Sequence, residues 1–519
     1  MSHELELPSG LNEGSKNRAG MQDNPSHFER PRLTDVRARS HYINKLPERV
    51  MPGRWFRFKT LEGEVMLSDG GKDRATMGFV THKVENALTE PDRPTYFFWN
   101  GGPLTPATMW SDLTLGPVII RHKNYQGLDS VSFEANENSP VLWGDIVSVD
   151  PVGTGVGRAL PGQDPMHYYG VQRDVDAARA FVEWYITEFK REKSPIILVG
   201  ASYAAFRVTG VAHELHKRGI TVSALAFISG HYDYALQDYE TDNPKPFTTI
   251  LPVMALAAQA HKRLNTREQH MPPDILYDEV EQFANGSYLT ALSDVSRLTL
   301  DQRKSIVENL AAYTGLSQSF IDELNLRINP TIFRKQLLEE KGLEISAADS
   351  RLAFPRRHDT RIDPALDLWE KAYREAMVNQ SDIFPYARRD YQGIVNAYPN
   401  WDFSGIWSKK RVHEAMVALL TDCPELQILH TAGIYDFINP PARAEKFWKS
   451  ISDQTGIDVR STQAVGTVLG YRETHGVDIV RFLAGHQIGK DHPTNFMLGI
   501  ALRSLSRAQK LRASKLDNK

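Results

Sequence analysis

Hydrophobic positions along this chain change their spacing from one stretch to the next, and each spacing predicts a different kind of element. Residues 1 to about 45 are polar, with Gly, Asn, Ser and Pro interspersed, and read as a loosely ordered N-terminal lead-in. From about Gly53, short runs of β-formers between turn residues predict strands at Trp55–Phe58, Met77–Thr81, Thr95–Trp99 and Ser130–Phe133. Three apolar runs then suit strands buried on both faces of a parallel sheet: Ile146–Val149, Pro195–Val199 and Leu225–Ile228. Helical spacing fills Val171–Lys190 between the first two runs and Phe206–Arg218 after the second. Strands alternating with helices predict a doubly wound α/β sheet.

From 241 to 400 the pattern is helical, at Leu251–Leu264, Asp274–Ala291, Thr299–Tyr313, Ser317–Ile328 and Ile332–Glu340. No convincing strand interrupts these helices. Asp301 and Ser317 stand near helix starts, where their side chains can accept unpaired backbone N–H groups. The sheet pattern resumes at Leu426–His430, Val465–Tyr471 and Val477–Leu483. The economical division is an α/β core of residues 46–240 and 401–510, interrupted by a helical insertion, 241–400, that would cap the carboxyl ends of the strands.

Composition narrows the setting. At 519 residues the chain is long for one simple core, which fits a core plus insertion. A formal charge of -3 gives no reason to expect nucleic acid or an anionic membrane as partner. The polar N-terminus lacks the basic-then-apolar pattern of a secretory signal, and apolar stretches such as Leu251–Ala260 are too short to span a bilayer. Cys423 is the sole cysteine, so no intrachain disulfide can form. These features fit a cytoplasmic protein, although a processed secreted chain would also lack its signal.

Candidate chemistry sits at strand ends. Ile196-Ile197-Leu198-Val199-Gly200-Ala201-Ser202-Tyr203-Ala204-Ala205 is a strand running into small residues and then a helix, the setting of a nucleophile elbow. Such a turn is strained and crowded, hence the small neighbours. A serine in this place is more often a helix cap, and the elbow's usual second glycine is here Ala204. Asn100-Gly101-Gly102-Pro103 follows another predicted strand, where adjacent glycines let a backbone N–H approach a ligand; alone it reads as an ordinary turn. Asp436 and His486 each lie in a loop after an apolar run, completing the chain order Ser, Asp, His of an α/β-hydrolase.

With these motifs in view, the chain resembles the serine carboxypeptidases and the acyltransferases and lyases related to them, and the interior of the insertion, from Leu251-Pro252 through Tyr313–Ser317 to Arg327-Ile328, looks like bacterial members. Asn100–Pro103 is similar to that family's Asn-Gly-Gly-Pro oxyanion loop, and Asp150-Pro151-Val152-Gly153-Thr154-Gly155 to its Pro-Val-Gly-Thr-Gly turn. Gly200–Ala204 stands where the family has Gly-Glu-Ser-Tyr, Gly433–Asp436 matches its aspartate loop, and Gly485-His486 its Gly-His. The likeness spans about Arg54 to Leu502. It implies an α/β-hydrolase fold with a helical cap, Ser202 as nucleophile, His486 as base and Asp436 as its orienting acid. The N–H groups of Gly102 and Tyr203 would receive the oxyanion, with Asn100 and Gly101 at the substrate.

The departures bear on specificity. Family peptidases pair a Glu before the serine with the Asn of the oxyanion loop to hold the substrate's terminal carboxylate; this chain has Ala201 there. Leu104-Thr105-Pro106-Ala107 replaces a Gly/Ser-rich stretch, and Gln487-Ile488-Gly489-Lys490 replaces apolar residues. The expected function is a serine-carboxypeptidase-like hydrolase of peptide, amide or ester bonds working through an acyl-enzyme. The alternatives are an acyltransferase or lyase on a small molecule, or a non-catalytic binding descendant. The chemistry calls for no cofactor or metal, the partner is a small-molecule or peptide acyl substrate, and a homodimer stays open. Gly153–Gly157 lacks the Lys-Ser/Thr of a phosphate loop, and His213-Glu214-Leu215-His216 lacks zinc-protease spacing and reads as a solvated helix face. Tyr232, Asp233 and Tyr234 read as edge-packing residues.

Overall fold

The computed structural model describes residues 30–43, 56–84, 92–108, 114–122, 131–232, 234–240, 242–356, 363–379, 391–393, 395–396, 401–404, 409–463 and 476–488, with short pieces to 505. Ten strands form one sheet: β1 (Arg32–Ile43), β2 (Phe56–Asp69), β3 (Lys72–Val84), β4 (Thr95–Trp99), β5 (Asp145–Asp150), β6 (Ile196–Ala201), β7 (Ala224–Ile228), β8 (Gln427–Gly433), β9 (Asp458–Gln463) and β10 (Gly476–Phe482). Their spatial order is β1-β2-β3-β5-β4-β6-β7-β8-β10-β9. The first three are an antiparallel meander, and β3 meets β5 antiparallel. From β5 onward every neighbour is parallel.

Burial on both faces explains why the central parallel strands β4, β6 and β7 are short, apolar runs. In β6, Ile196 and Leu198 enter one hydrophobic cluster, while Ile197 and Val199 enter the cluster on the opposite face. The first cluster is roofed by helices α1 (Val171–Glu188) and α2 (Ala204–Lys217), through residues such as Val175, Phe181, Phe206 and Val211. The insertion contributes α3 (Lys245–Ala260), α4 (Pro273–Phe283) and α5 (Leu300–Thr314), which share a separate core. Further on come α6 (Pro364–Asn379), α7 (Lys409–Asp422) and α8 (Pro441–Thr455). Among the described residues, no helix is long and apolar enough to cross a membrane.

The fold corrects several expectations. Part of the polar lead-in is ordered: β1 pairs with β2 from Arg32↔Met66 to Ile43↔Phe56. An edge strand is held mainly by its backbone ladder, so it needs no apolar run to mark it. The insertion holds a small hairpin, Leu343–Ile345 with Ala353–Pro355, where no strand was expected. Thr299, not Asp301, caps α5, in a capping box with Gln302; Asp301 lies in the first turn. Ser317 does cap its helix, Gln318–Glu323, by accepting from the Phe320 N–H. The expected strand Val465–Tyr471 and Asp233 lie outside the described residues, whereas the polar stretch Asp458–Gln463 forms β9.

Candidate active site

Because β4, β6, β7, β8 and β10 run parallel, the loops leaving their carboxyl ends share one edge of the sheet. Open α/β sheets bind ligands at that edge. Asn100–Gly102 leave β4, Ser202 leaves β6, Asp436 follows β8 and His486 follows β10. The four segments named from sequence thus emerge on one side.

Ser202 has φ +53, a left-handed conformation that is costly for a non-glycine residue. It persists because neighbours fix the turn: the Ser202 N–H donates to the Ile228 carbonyl at 2.9 Å, and the His231 N–H donates to the Ser202 carbonyl at 3.2 Å. Gly200 keeps the turn tight, since a Cβ there would lie 2.5 Å from the Ala204 carbonyl oxygen. The strand-to-helix turn with a strained serine is the elbow geometry.

The loop after β4 lies directly on this elbow. A Cβ on Gly101 would fall 2.5 Å from Ser202 Cβ, 2.7 Å from the Ala201 oxygen and 2.9 Å from Tyr203 N. Gly102 has φ +68, which favours glycine. The Gly101 N–H donates to Asn100 Oδ1 at 2.9 Å, and Asn100 Nδ2 donates to the Pro106 carbonyl at 3.4 Å. The Asn100 amide is thus turned back on its own loop. Ala201, buried at the end of β6, presents only a methyl group.

His486 Nδ1 and Asp436 Oδ2 lie 2.7 Å apart. Asp436 is fully buried, and its other oxygen accepts from the N–H groups of Ile438 at 2.8 Å and Asn439 at 3.0 Å. Three donors on one carboxylate fix its plane. With Nδ1 engaged there, Nε2 is the ring nitrogen left to exchange a proton with a nucleophile.

Sequence reasoning missed two supports. The first is a buried ion pair: Arg207 Nε donates to both oxygens of Asp174, at 2.9 Å each. Arg207 also donates to the carbonyls of Asn100 and Pro103, and the Tyr203 hydroxyl donates to Asp174 Oδ2 at 3.1 Å. A charged residue among the mostly apolar buried residues of α2 was the available signal. The second is the insertion segment Ser346–Arg351, which runs between the loops of Asp436 and His486. The His486 N–H donates to the Ala348 carbonyl, the Phe437 N–H to the Ala347 carbonyl, and the Ser350 N–H to the Tyr435 carbonyl, at 2.6, 3.0 and 2.9 Å. Gly485 is obligatory there, since a Cβ would meet the Ala348 oxygen at 2.3 Å. Ile434, Tyr435 and Phe437, flanking Asp436, belong to the core of the insertion's helices.

The remaining candidates are structural. Asp150 accepts from the Thr108 N–H at 3.2 Å and packs against Gly155, so the Pro-Val-Gly-Thr-Gly turn braces the far end of the loop after β4. Tyr232 donates to, or accepts from, His430 Nδ1 at 2.8 Å, and burial holds the His430 imidazole down at about 3. His213 and Glu214 approach to 3.6 Å, and the His213 contact holds the Glu214 carboxyl down at about 2.

Strand order, parallel core and strained elbow together define an α/β-hydrolase fold, with a serine, an aspartate and a histidine in the loops at its carboxyl edge. No family model and no curated protein matches the sequence. Among solved structures the chain is similar to Kex1(Δ)p, a prohormone-processing carboxypeptidase from Saccharomyces cerevisiae, at 14% identity and a TM-score of 0.48 over 91% of each chain. It is also similar to a thermophilic esterase from Thermogutta terrifontis, at 12% identity and a TM-score of 0.32, covering 85% of this chain and 97% of that one. The peroxisomal alpha-beta-hydrolase Lpx1 from Saccharomyces cerevisiae aligns at 8% identity and a TM-score of 0.35, over 94% and 89%. At such scores the likeness carries no argument about activity; strand order and the elbow carry the fold.

Proposed function

We propose that the protein is a serine hydrolase that works through an acyl-enzyme, with Ser202, His486 and Asp436 as its triad. The observation that carries the reading is the 2.7 Å contact of His486 Nδ1 with the buried Asp436 Oδ2, on the same sheet edge as a serine held at φ +53. In this mechanism Ser202 Oγ attacks an acyl carbonyl and its proton passes to His486 Nε2. Asp436 holds the imidazole tautomer and stabilises the imidazolium. The N–H groups of Gly102 and Tyr203 receive the oxyanion, and Gly102 is the next amide along from Gly101, whose N–H is already taken by Asn100. His486 then protonates the leaving group, and water, activated by the same nitrogen, releases the acyl chain.

For the acyl acceptor and substrate end, the state of Asn100 is informative. Its amide serves the loop, and Ala201 offers no acid to share a hydrogen bond with a carboxylate. This supports ester or amide hydrolysis without a requirement for a free terminal carboxylate, in preference to carboxypeptidase trimming. The carboxypeptidase reading, supported by the motif resemblance, is the second candidate. A fluorophosphonate probe tests the proposal: the wild-type chain is expected to be labelled at Ser202, and Ser202→Ala to lose labelling and turnover while keeping its fold. Absence of labelling in active protein, or more than about a tenth of wild-type rate in the alanine variant, would refute it.

A further inference from the structure

Both proposed oxyanion donors hang from one buried ion pair. Tyr203, whose N–H is one donor, is tied by its hydroxyl to Asp174 Oδ2 at 3.1 Å. The loop carrying Gly102 is tied at both ends to Arg207, which donates from Nη1 to the Asn100 carbonyl and from Nη2 to the Pro103 carbonyl, each at 2.9 Å. Arg207 and Asp174 are joined at 2.9 Å, and their side chains are 0% and 5% exposed. The guanidinium lies 5.4 Å from the Tyr203 ring centroid, and Trp401 packs edge-on against that ring at 5.4 Å, so the phenol has little room to move.

Burying a charged pair in the α1–α2 layer is expensive and adds little net stability compared with apolar packing, so its fork geometry calls for a purpose beyond the core. A guanidinium presents its donors in a rigid plane, and here that plane spans an acid on α1 and two carbonyls on the β4 loop. Gly101 already touches the elbow, so the distance between the loop and α2 is set on one side by van der Waals contact. Arg207 sets it on the other.

We propose that Arg207 and Asp174 are positioning residues that fix the spacing between the Gly102 and Tyr203 N–H groups, and hence the fit of the oxyanion hole to a tetrahedral intermediate. The inference rests on the serine-hydrolase reading above. Lysine cannot reproduce the fork, since its three donors radiate from one nitrogen and cannot reach Asp174 and both carbonyls together. In Arg207→Lys the loop relaxes away from its present position, and about 1 Å of misplacement costs on the order of 10²-fold in rate. Tyr203→Phe removes only the hydroxyl tether and is expected to cost roughly tenfold, in the same sense.

The test uses the full chain, an activated p-nitrophenyl ester and active-site titration, so that each rate is expressed per competent site. In Arg207→Lys, kcat per titrated site should fall about 10²-fold with KM within about threefold, and affinity for a trifluoromethyl ketone, which forms a tetrahedral adduct, should fall in parallel. Affinity for the product acid, which is trigonal, should hold. A merely structural pair would lower the titrated fraction or the melting temperature and leave kcat per site and ketone affinity unchanged. That result overturns the proposal. If Arg207→Lys does not fold, Tyr203→Phe decides by the same readouts. A wild-type protein with no titratable site would instead defeat the serine-hydrolase reading itself.

Discussion

Replacing Gly101 by alanine tests the contact on which the site is built. The new Cβ would start 2.5 Å from Ser202 Cβ, 2.7 Å from the Ala201 oxygen and 2.9 Å from Tyr203 N. Carbon atoms separate comfortably at about 3.5 Å or more, so something must yield by about 1 Å. All three opposing atoms belong to the elbow, which is anchored to the Ile228 carbonyl and to α2, whereas the β4 loop is held against it by hydrogen bonds from the Arg207 side chain, which can lengthen. The loop therefore moves, and the Gly102 N–H moves with it. A donor placed about 2.9 Å from an oxyanion would then stand near 3.9 Å, beyond hydrogen-bond range. Loss of one such donor costs on the order of 10²–10³ in kcat, about 3–4 kcal/mol of transition-state stabilisation, with substrate affinity nearly untouched. Steady-state kinetics on an activated ester, normalised by active-site titration, reads this directly. Gly286→Ala is the control, because a Cβ there meets nothing within 4 Å and the residue lies within a helical turn of the insertion. Should Gly101→Ala retain kcat within about threefold of wild type at an unchanged melting temperature, the β4 loop is not part of the oxyanion hole.

Three further outcomes follow from the same geometry. Asp436→Asn, which preserves shape but favours the wrong imidazole tautomer, should lower kcat by about 10⁴ with little change in melting temperature; a drop below tenfold would remove Asp436 from the triad. His430 is buried, which holds its imidazole down at about 3, so the unfolded chain takes up a proton on acidification that the folded chain refuses. Its contribution is complete above about pH 6.5 and is lost as pH falls toward about 3, by about 2 kcal/mol between pH 7.5 and 5. Denaturant titrations at those pH values should show that loss in wild type and not in His430→Asn, and equal slopes would refute the assignment. Finally, kcat/KM for a blocked dipeptide, its amide and its ester across about pH 4 to 9 should rise toward neutrality, with no preference for the free acid. A strong free-acid preference with an acidic optimum would show that another group does the work of the glutamate that serine carboxypeptidases carry before the serine, where this chain has Ala201.

The strands that carry the site were readable because each contains a run of buried apolar residues. Thr95–Trp99 is fully buried along its length, as is Gln427–Gly433, and the residues that follow them are the ones with chemistry. Edge strands follow another rule. Arg32–Ile43 and Asp458–Gln463 are set by pairing with one neighbour, and their polar sequences carry no period to reveal it. Within the site, the serine, aspartate and histidine announce themselves through local context. Arg207 and Asp174 do not, because their meaning comes from partners 33 and 107 residues away in the chain. The inward turn of the Asn100 amide was equally hidden, since it depends on a carbonyl at Pro106 that only the folded loop brings near.

The Ser346–Arg351 segment has a consequence for how such proteins diversify. An insertion tethered at two hinges could be exchanged freely, giving a new pocket over an unchanged reaction centre. Here the insertion is sewn by backbone bonds to residues on both sides of Asp436 and to His486 itself. Grafting a foreign insertion onto this sheet would therefore leave the histidine loop without its seam, and a graft that spares Ser346–Arg351 should be tolerated far better than one that replaces it. The same seam joins the core of the insertion's helices to the loop of His486. Under the proposed mechanism, a substitution that shifts the helices against Tyr435 and Phe437 should change rate as well as selectivity, because the same backbone bonds hold the His486 loop.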